Sequence, residues 1–266
     1  MKKYLLFLIC IAMLALVGCA RQGQPILPTD SAAQRWQDFA AKTADFSTSE
    51  VLSGSLRFGP VNDTRRVTYN LWSEPSETSS AHDAGSAERI IRIEIQAGIG
   101  GTVGDLRFAN GRMTLLLPKE GRVYLGSSSN ENLRKLLGLS LPLGVQDLND
   151  FLAGSLFSAL DEPRPERYET QEDGSIVYFC NTAEGMVEIT LDGRSLPVRF
   201  KEQNGWDLDI ACGEDGLPSK LSGRVQSASG EQRLVLLVKE RRPASGIQAS
   251  GTGLDIPSGF TVYSLD

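Results

Sequence analysis

One stretch of the chain, SSNENLRKLLGLSLPLGVQDLNDFLAGSLFSA (residues 128–159), has clear helical spacing, whereas most of the remaining sequence after residue 50 is patterned as short strands. Leu133, Leu136 and Leu137 recur at steps of three and four residues, which places them on one face of a helix. Leu139 and Ser140 continue this spacing. The spacing therefore predicts a short amphipathic helix at the start of this stretch.

A second short helix follows the first, and the connection between them is marked by helix-breaking residues. Ser129 or Asn130 can cap the first helix, and Pro142 with Gly144 ends it. The apolar stripe of the second helix consists of Val145, Leu148, Phe151, Leu152, Ser155 and Leu156. Because two short helices bury little apolar surface alone, they need a sheet to lie on. We predict a curved antiparallel sheet closed by a helical plug.

The flanking sequence supplies such a sheet. Ile91, Ile93 and Ile95 alternate with charged residues, which predicts a strand with one buried face and one solvent-exposed face. Asn110-Gly111 between two alternating runs is a strong hairpin signal. Evenly spaced strands with glycine turns follow from residue 176 onward, and residues 161–167 are predicted as an extended, charged linker. The predicted fold is mainly β with a few helices, an unclosed antiparallel half-barrel whose internal helical plug encloses an apolar cavity.

The beginning of the chain has the pattern of a secretory signal. Lys2 and Lys3 precede the apolar run 4–16, and Leu16-Val17-Gly18-Cys19 resembles a bacterial lipobox, in which Cys19 is lipidated after cleavage. An uncleaved anchor, or an ordinary signal with a chance cysteine, is the alternative. We predict a signal peptide at 1–18, a lipidated tether at 19–30 and one folded domain at 31–266. By the same resemblance, Ala20 favours export to the outer membrane.

The net charge of the chain and its distribution limit the kinds of partner that the sequence suggests. The chain carries a formal charge of −6, and residues 1–18 remove two lysines and no acidic residue when cleaved. Acidic and basic residues are interspersed after residue 85, so the sequence offers no basic patch for nucleic acid. An acidic domain of this kind is expected to be held on an anionic membrane by its lipid rather than by its charge.

The sequence offers no catalytic constellation. Its single histidine, His82, lies in a polar loop, so no Ser–His or Cys–His pair is available and no histidine-rich metal site is expected. Asp207 and Asp209 share one side of a strand, a geometry that suits acid–base work or calcium but is better explained by a solvated face. We expect no enzyme activity and no cofactor. Cys180 and Cys212 are either a disulfide or two small buried thiols.

The helical stretch carries a family resemblance. Its pattern Leu133-x-x-Leu-Leu-Gly-Leu-x-Leu-Pro-Leu, followed by Leu-x-x-Phe-Leu-x-Gly, resembles LolB-like outer-membrane lipoproteins and the wider LolA/LolB-like lipoprotein-binding group, as do Trp72 and the strand at 90–95. The resemblance implies an unclosed barrel that accepts lipoprotein acyl chains from a periplasmic LolA-like carrier. It would then insert the cargo into outer-membrane lipid as a monomer, without nucleotide or metal. The loop at 73–87 and the tail after residue 243 depart from the pattern.

The resemblance also assigns residues. It implies that Ile99, after the third strand, touches membrane lipid; the alternative is a loop isoleucine folded back onto the core. The candidates for lining an acyl cavity, some of which are ordinary core, are Trp72, Ile91, Ile93, Ile95, Leu106, Leu115, Leu133, Leu136, Leu137, Leu148, Phe151, Leu152, Val187, Ile189, Val198, Phe200 and Trp206. A second hypothesis keeps the same half-barrel with a filled interior, as a structural or assembly lipoprotein that docks a protein partner.

Overall fold

The computed structural model describes residues 30–42, 50–75, 89–98, 100–137, 143–160, 162–182, 185–203, 205–227, 230–243 and 254–266. The predicted signal and tether up to residue 29, with Cys19, and the predicted membrane-contacting Ile99 lie outside these residues. The described helices are α1 (Asp30–Ala40), α2 (Asn130–Leu137), α3 (Val145–Leu152) and α4 (Leu156–Ala159). None of them is long and apolar enough to span a membrane.

The strands of the described residues form one sheet. They are β1 (Glu50–Pro60), β2 (Arg65–Pro75), β3 (Arg89–Ala97), β4 (Gly101–Ala109), β5 (Arg112–Leu117), β6 (Arg122–Ser127), β7 (Arg164–Thr170), β8 (Ile176–Thr182), β9 (Gly185–Leu191), β10 (Pro197–Glu202), β11 (Asp207–Cys212), β12 (Pro218–Ser227), β13 (Gly230–Pro243) and β14 (Thr261–Ser264). The strand order is β14-β6-β5-β4-β3-β2-β1-β13-β12-β11-β10-β9-β8-β7.

The sheet is antiparallel throughout, apart from the parallel pair of β14 and β6, and β14 and β7 are its two edges. Two meanders, β1 to β6 and β7 to β13, meet where β1 pairs with β13. The predicted fold class is confirmed as mainly β and as an unclosed half-barrel. The segment predicted as a charged linker is instead the edge strand β7, because charged side chains and Pro165 suit an exposed sheet edge.

One face of the sheet, the inner face, carries the apolar core. Strand pairing aligns Leu52, Leu71, Ile93, Leu106 and Leu115 in a single row across β1 to β5. All five belong to the core cluster or pack against it. The alternating residues point to the opposite side, the outer face, as the two-residue period of a strand requires.

Helix α1 covers the inner face of the second meander. Trp36 packs against Tyr178 of β8 with ring centroids 4.8 Å apart, and the Tyr178 hydroxyl donates to the Ala32 carbonyl at 2.7 Å. The Arg35 guanidinium donates to the Gly174 carbonyl at 2.8 Å in the turn between β7 and β8. These contacts hold α1 over the end of the sheet where that turn lies.

The predicted helical plug is present as three helices. Ser129 caps α2, because its hydroxyl accepts a hydrogen bond from the Asn132 N–H at 3.3 Å. Leu133, Phe151 and Leu152 are each 1% exposed and join the sheet residues in one core. The second predicted helix is broken after Leu152, since Gly154 adopts a left-handed φ of +101° before α4 begins.

Antiparallel pairing gives the half-barrel two distinct ends. The turns at 110–111, 171–175, 192–196 and 213–217 lie at the end where α1 docks, which we call the helix end. The turns at 61–64 and 118–121, together with the last residues of β3 and β10, lie at the other, which we call the open end. Asn110 and Gly111 both have positive φ, at 53° and 64°, as the predicted two-residue hairpin requires.

Candidate functional site

Side chains on the inner face become more exposed toward the open end. Along β3, Ile91 is 0% exposed whereas Ile93 and Ile95 are half-buried. The same change occurs along β1, from fully buried Leu52 to half-buried Phe58. The half-buried apolar residues at this end, which we call the open-end cluster, are Leu56, Phe58, Ile93, Ile95, Leu117 and Val225.

Part of the open-end cluster lies side by side on neighbouring strands. Ile95 lies opposite Tyr69 on one side and Gly104 on the other, and Leu117 of β5 lies next to that glycine. A β-carbon at Gly104 would lie 3.5 Å from the Leu115 side chain and 3.7 Å from the Leu117 side chain, so the two leucines pack over the glycine. Ile95 and Leu117 present hydrocarbon at the open end, which suits a ligand that needs contact area rather than hydrogen bonds.

Most of the residues predicted to line a cavity do lie on the inner face or on the helices that cover it. The buried members are Ile91, Leu106, Leu115, Leu133, Phe151, Leu152, Val187, Ile189, Phe200 and Trp206. The half-buried members are Ile93, Ile95, Leu136 and Leu148. The structure thus brings together helix and strand residues that are far apart in sequence, although the fully buried ones around Ile91 are closely packed core.

Two predicted lining residues lie elsewhere. Trp72 is on the outer face, because its neighbour Leu71 occupies the inner face, and the Arg92 guanidinium lies over its ring at 5.6 Å from the centroid. Arg92 in turn pairs with Asp105 at 2.6 Å. Val198 is the extra residue of a β-bulge in β10 and is not part of the core cluster. The side chain of Leu137 lies outside the described residues.

Several residues of the site were missed by sequence reasoning. Leu56, Phe58, Leu117 and Val225 belong to the open-end cluster, and β1 shows the alternation that could have identified the first two. Val225 could not have been found from local pattern alone. It reaches the cluster only because β12 and β13 fold back beside β1.

Trp206 provides a polar group at the border of this surface. Leu208 lies opposite Gly223, so Trp206, two residues earlier on the same face, lies beside Val225 of the open-end cluster. Trp206 is 2% exposed and its indole Nε1 has no hydrogen-bond partner. An unpaired buried donor costs about 1–3 kcal/mol, so the indole N–H is an available anchor for a ligand oxygen.

Polar side chains lie on β2, β3 and α3 toward the helix end. Arg89 is 4% exposed and its Nε donates to the Ser73 hydroxyl at 2.6 Å. Asp150 of α3 accepts hydrogen bonds from Gln146 at 3.1 Å and Asn149 at 3.2 Å, both within the same helix. Burial raises the pKa of Asp150, while these hydrogen bonds and nearby Arg89 act in the opposite direction.

The cysteines are free thiols. Cys180 on β8 is buried in the core, and burial raises the pKa of its thiol to about 12. Cys212 on β11 is half-buried, and its Sγ lies 3.8 Å from the Pro197 carbonyl oxygen. Strands β9 and β10 stand between the two, too far for the disulfide that the sequence left open. Within the described ranges no group of three or more His, Cys, Asp or Glu side chains is placed to hold a metal ion.

The fold and the site define a class: an unclosed half-barrel, covered by helices at one end and apolar at the other. Neither a protein-family model nor a curated protein matches the sequence. Among solved structures, the chain is similar to a DUF1329 family protein from Desulfovibrio piger, with a TM-score of 0.55 and 13% identity over 84% of this chain and 95% of that one. It is also similar to a putative outer membrane lipoprotein-sorting protein domain from Vibrio parahaemolyticus, with a TM-score of 0.52 and 12% identity over 84% and 95%.

A weaker likeness, with a TM-score of 0.48 and 14% identity over 79% of this chain and 92% of the other, is to a LolA superfamily protein from Nitrosomonas europaea. At these identities the two closer likenesses show a shared fold. The chain therefore shares the fold of these two proteins, with half-buried apolar residues at the end opposite the helices.

Proposed function

We propose that this protein is a lipid-anchored lipoprotein that accepts other lipoproteins from a periplasmic carrier. It would bind their acyl chains and insert these lipoproteins into the outer membrane. The observation that carries the proposal is the open-end cluster, an apolar surface on the inner face of a half-barrel that is left half-buried. Binding and release of an acyl chain require no bond to be made or broken. The proposal therefore includes neither enzyme activity nor a cofactor.

The open-end cluster suits a hydrocarbon ligand. Removing apolar surface from water is worth about 25 cal/mol per Å², so an acyl chain laid along the open-end cluster gains affinity from area alone. Among the described residues, those toward the helix end offer no comparable surface, since Ile91, Leu133 and Phe151 belong to one core cluster and are only 0–1% exposed. An acyl chain would enter from the open end and stop against this packed core.

The location rests on the sequence. Cys19 in its lipobox would tie the domain to a membrane, and residues 19–30 would let it stand away from the surface. The shared fold with a putative outer membrane lipoprotein-sorting domain supports a periplasmic or outer-membrane setting. We infer attachment to the periplasmic face of the outer membrane.

Cargo transfer can be tested directly by native mass spectrometry. Residues 20–266, which contain every described helix and strand, would be mixed with a carrier loaded with a triacylated lipoprotein. A new complex between this chain and the cargo is the expected result. If neither cargo nor free lipid is retained, the half-barrel is instead a structural or assembly module, and a search for protein partners follows.

Trp206→Phe is expected to weaken acyl-ester binding about five- to tenfold, because it removes one hydrogen bond between the indole N–H and the ester carbonyl. The free energy of unfolding should fall modestly, because the smaller ring leaves a cavity at this buried position, and removal of the unpaired buried donor offsets part of the loss. Binding is measured by titration with a fluorescent acyl ester, and stability by urea denaturation.

A straight-chain alkane without an ester serves as the matched ligand control for Trp206. Its affinity should be the same in the wild type and in Trp206→Phe, because it offers no acceptor to the indole. Equal weakening for ester and alkane would show that Trp206 acts through packing alone, and an unchanged ester affinity would remove it from the site.

The insertion step assigns a role to Ile99, which lies between β3 and β4 in the sequence. Ile99→Glu is expected to keep cargo binding but to slow insertion into outer-membrane lipid, because a carboxylate resists entry into the acyl region. Transfer of a labelled lipoprotein into liposomes measures this step. Insertion at the wild-type rate would contradict the assignment of Ile99 as the membrane-touching residue.

A further inference from the structure

Four exposed arginines from four neighbouring strands gather on the outer face toward the open end. Arg57 of β1 lies directly opposite Arg66 of β2, and Arg233 of β13 lies directly opposite Arg224 of β12. Arg57 pairs with Val235, two residues from Arg233, so the two arginine pairs are diagonal neighbours, about 7–8 Å apart. We call Arg57, Arg66, Arg224 and Arg233 the arginine patch.

Acidic and basic residues are interspersed in the sequence, and the sheet order brings these four arginines together. The two pairs lie more than a hundred and fifty residues apart along the chain, so no local run of basic residues reveals them. Each arginine alternates with an inner-face residue, as Arg57 does with Leu56 and Phe58. The four guanidinium groups therefore share the outer face, immediately behind the open-end cluster.

The patch is poorly balanced by acidic residues. Arg224 has two acidic neighbours: Glu231 approaches it at 3.9 Å, and Asp207 lies directly opposite it on β11. Asp63 lies in the turn beside the other pair. Arg57, Arg66 and Arg233 form no ion pair within the described ranges. Like charges directly opposite on neighbouring strands destabilise a sheet. Two such pairs side by side therefore favour an external anion that bridges them.

The basic residues on the strands next to the patch are paired with acidic residues. Arg199 pairs with Asp207 at 2.7 Å, and Lys201 pairs with Glu188 at 3.1 Å. These pairs lie on β9 to β11, next to the patch in the sheet. The four arginines of the patch instead face one another in cross-strand pairs on β12, β13, β1 and β2, the strands that meet where the two meanders join.

An apolar tip stands beside the patch. Val61, in the turn that joins the strands of Arg57 and Arg66, is 45% exposed. Its N–H donates to the Glu231 carbonyl at 3.3 Å, which ties this turn to the beginning of β13, near Arg233. An exposed aliphatic residue flanked by guanidinium groups matches the boundary of a bilayer, with phosphates beside acyl chains.

We propose that the arginine patch and Val61 bind the phosphate headgroups of an anionic lipid surface, and so turn the open end of the half-barrel toward the membrane. Guanidinium groups suit phosphate because their fork of N–H donors matches two phosphate oxygens at once. Spacing across four strands suits several headgroups of a surface rather than one small anion. The inference is independent of acyl-chain binding, since the patch lies on the opposite face from the open-end cluster.

The test is cosedimentation of residues 20–266 with vesicles of phosphatidylcholine, alone or in equal parts with phosphatidylglycerol. We expect binding to the anionic vesicles only, weakened by added salt. The triple variant Arg57→Gln, Arg66→Gln and Arg233→Gln should lower the affinity about 100-fold, from the usual contribution of each arginine near an anionic surface. If the wild type does not bind anionic vesicles, the proposal is overturned. An acidic protein would then be the candidate partner of the arginine patch.

A charge-matched control separates the patch from the net charge of the protein. Lys220, Lys239 and Arg242 are exposed on β12 and β13 toward the helix end, and changing all three to Gln removes the same charge. This control should weaken vesicle binding less than about fivefold, since the charges lie away from the proposed contact. Equal loss in both triple variants would overturn the assignment to the patch.

Two further measurements complete the test. Arg57→Glu turns a repulsive cross-strand pair into an attractive one, so its thermal unfolding midpoint should not fall although its vesicle binding does; retained binding would count against the patch. Inorganic phosphate at constant ionic strength should displace little protein from the vesicles. Full displacement would identify the ligand as a free phosphate rather than a lipid surface.

Discussion

Ile95→Asp is expected to weaken the binding of an acyl chain about 100-fold while leaving the sheet folded. Ile95 lies at the open end of the inner face, half-buried and next to Gly104, where an acyl chain would cover it. A carboxylate there would have to lose water on binding without gaining a partner, which costs several kcal/mol, and 2.7 kcal/mol corresponds to 100-fold. Displacement of a fluorescent fatty acid measures the change.

Thr68→Asp is the matched control for Ile95→Asp. Thr68 is exposed on the neighbouring strand β2 and points to the outer face, beside Tyr69, the residue opposite Ile95. The control adds the same charge one residue away but on the other side of the sheet, so it should change acyl affinity by less than about threefold. If both variants bind as the wild type does, the open-end cluster is not the acyl site. The vesicle binding assigned to the arginine patch should survive Ile95→Asp.

Phe39→Ala is expected to lower the free energy of unfolding by about 3–5 kcal/mol, the usual cost of removing a buried aromatic ring. Phe39 is 2% exposed and packs against Trp36 and Phe157, with ring centroids 5.3 and 6.0 Å apart. It therefore joins α1 to the helical plug. Urea denaturation measures the change. The dependence of the unfolding free energy on urea concentration should be compared between the variant and the wild type.

Gln37→Ala, at an exposed position of the same helix, should change the free energy of unfolding by less than about 0.5 kcal/mol. A loss of under about 1 kcal/mol for Phe39→Ala would mean that α1 is a peripheral attachment rather than part of the core. The expected large loss would instead show that the first helix after the tether helps to hold the helix end closed.

Local patterns in the sequence predicted most of the elements, but not the edge strand β7. The three- and four-residue spacing of Leu133 and Leu136 predicted α2, and alternation through Ile91 to Ile95 predicted β3. Asn110-Gly111 predicted its hairpin, because both residues tolerate the positive φ that the turn demands. Such features depend on neighbours only a few residues away, so they can be read without knowing the fold.

Placement on one face or the other was less predictable. Trp72 looks like a lining residue in sequence, yet it faces outward with Arg92 because Leu71 takes the inner position. A shift of one residue in the assumed alternation is enough to move a side chain across the sheet. Val198 was misplaced for a related reason, since the bulge in β10 interrupts the alternation there.

By itself, the sequence determined the mainly β class, the helical plug and the candidate lipid-attachment cysteine, because each follows from composition and short-range spacing. The tertiary structure alone decided that β13 lies beside β1. That contact brings Val225 and Trp206 to the open-end cluster and sets Arg233 and Arg224 beside Arg57 and Arg66. Strand order is chosen by burial of the whole inner face, a sum over contacts between distant segments, and no local pattern encodes it.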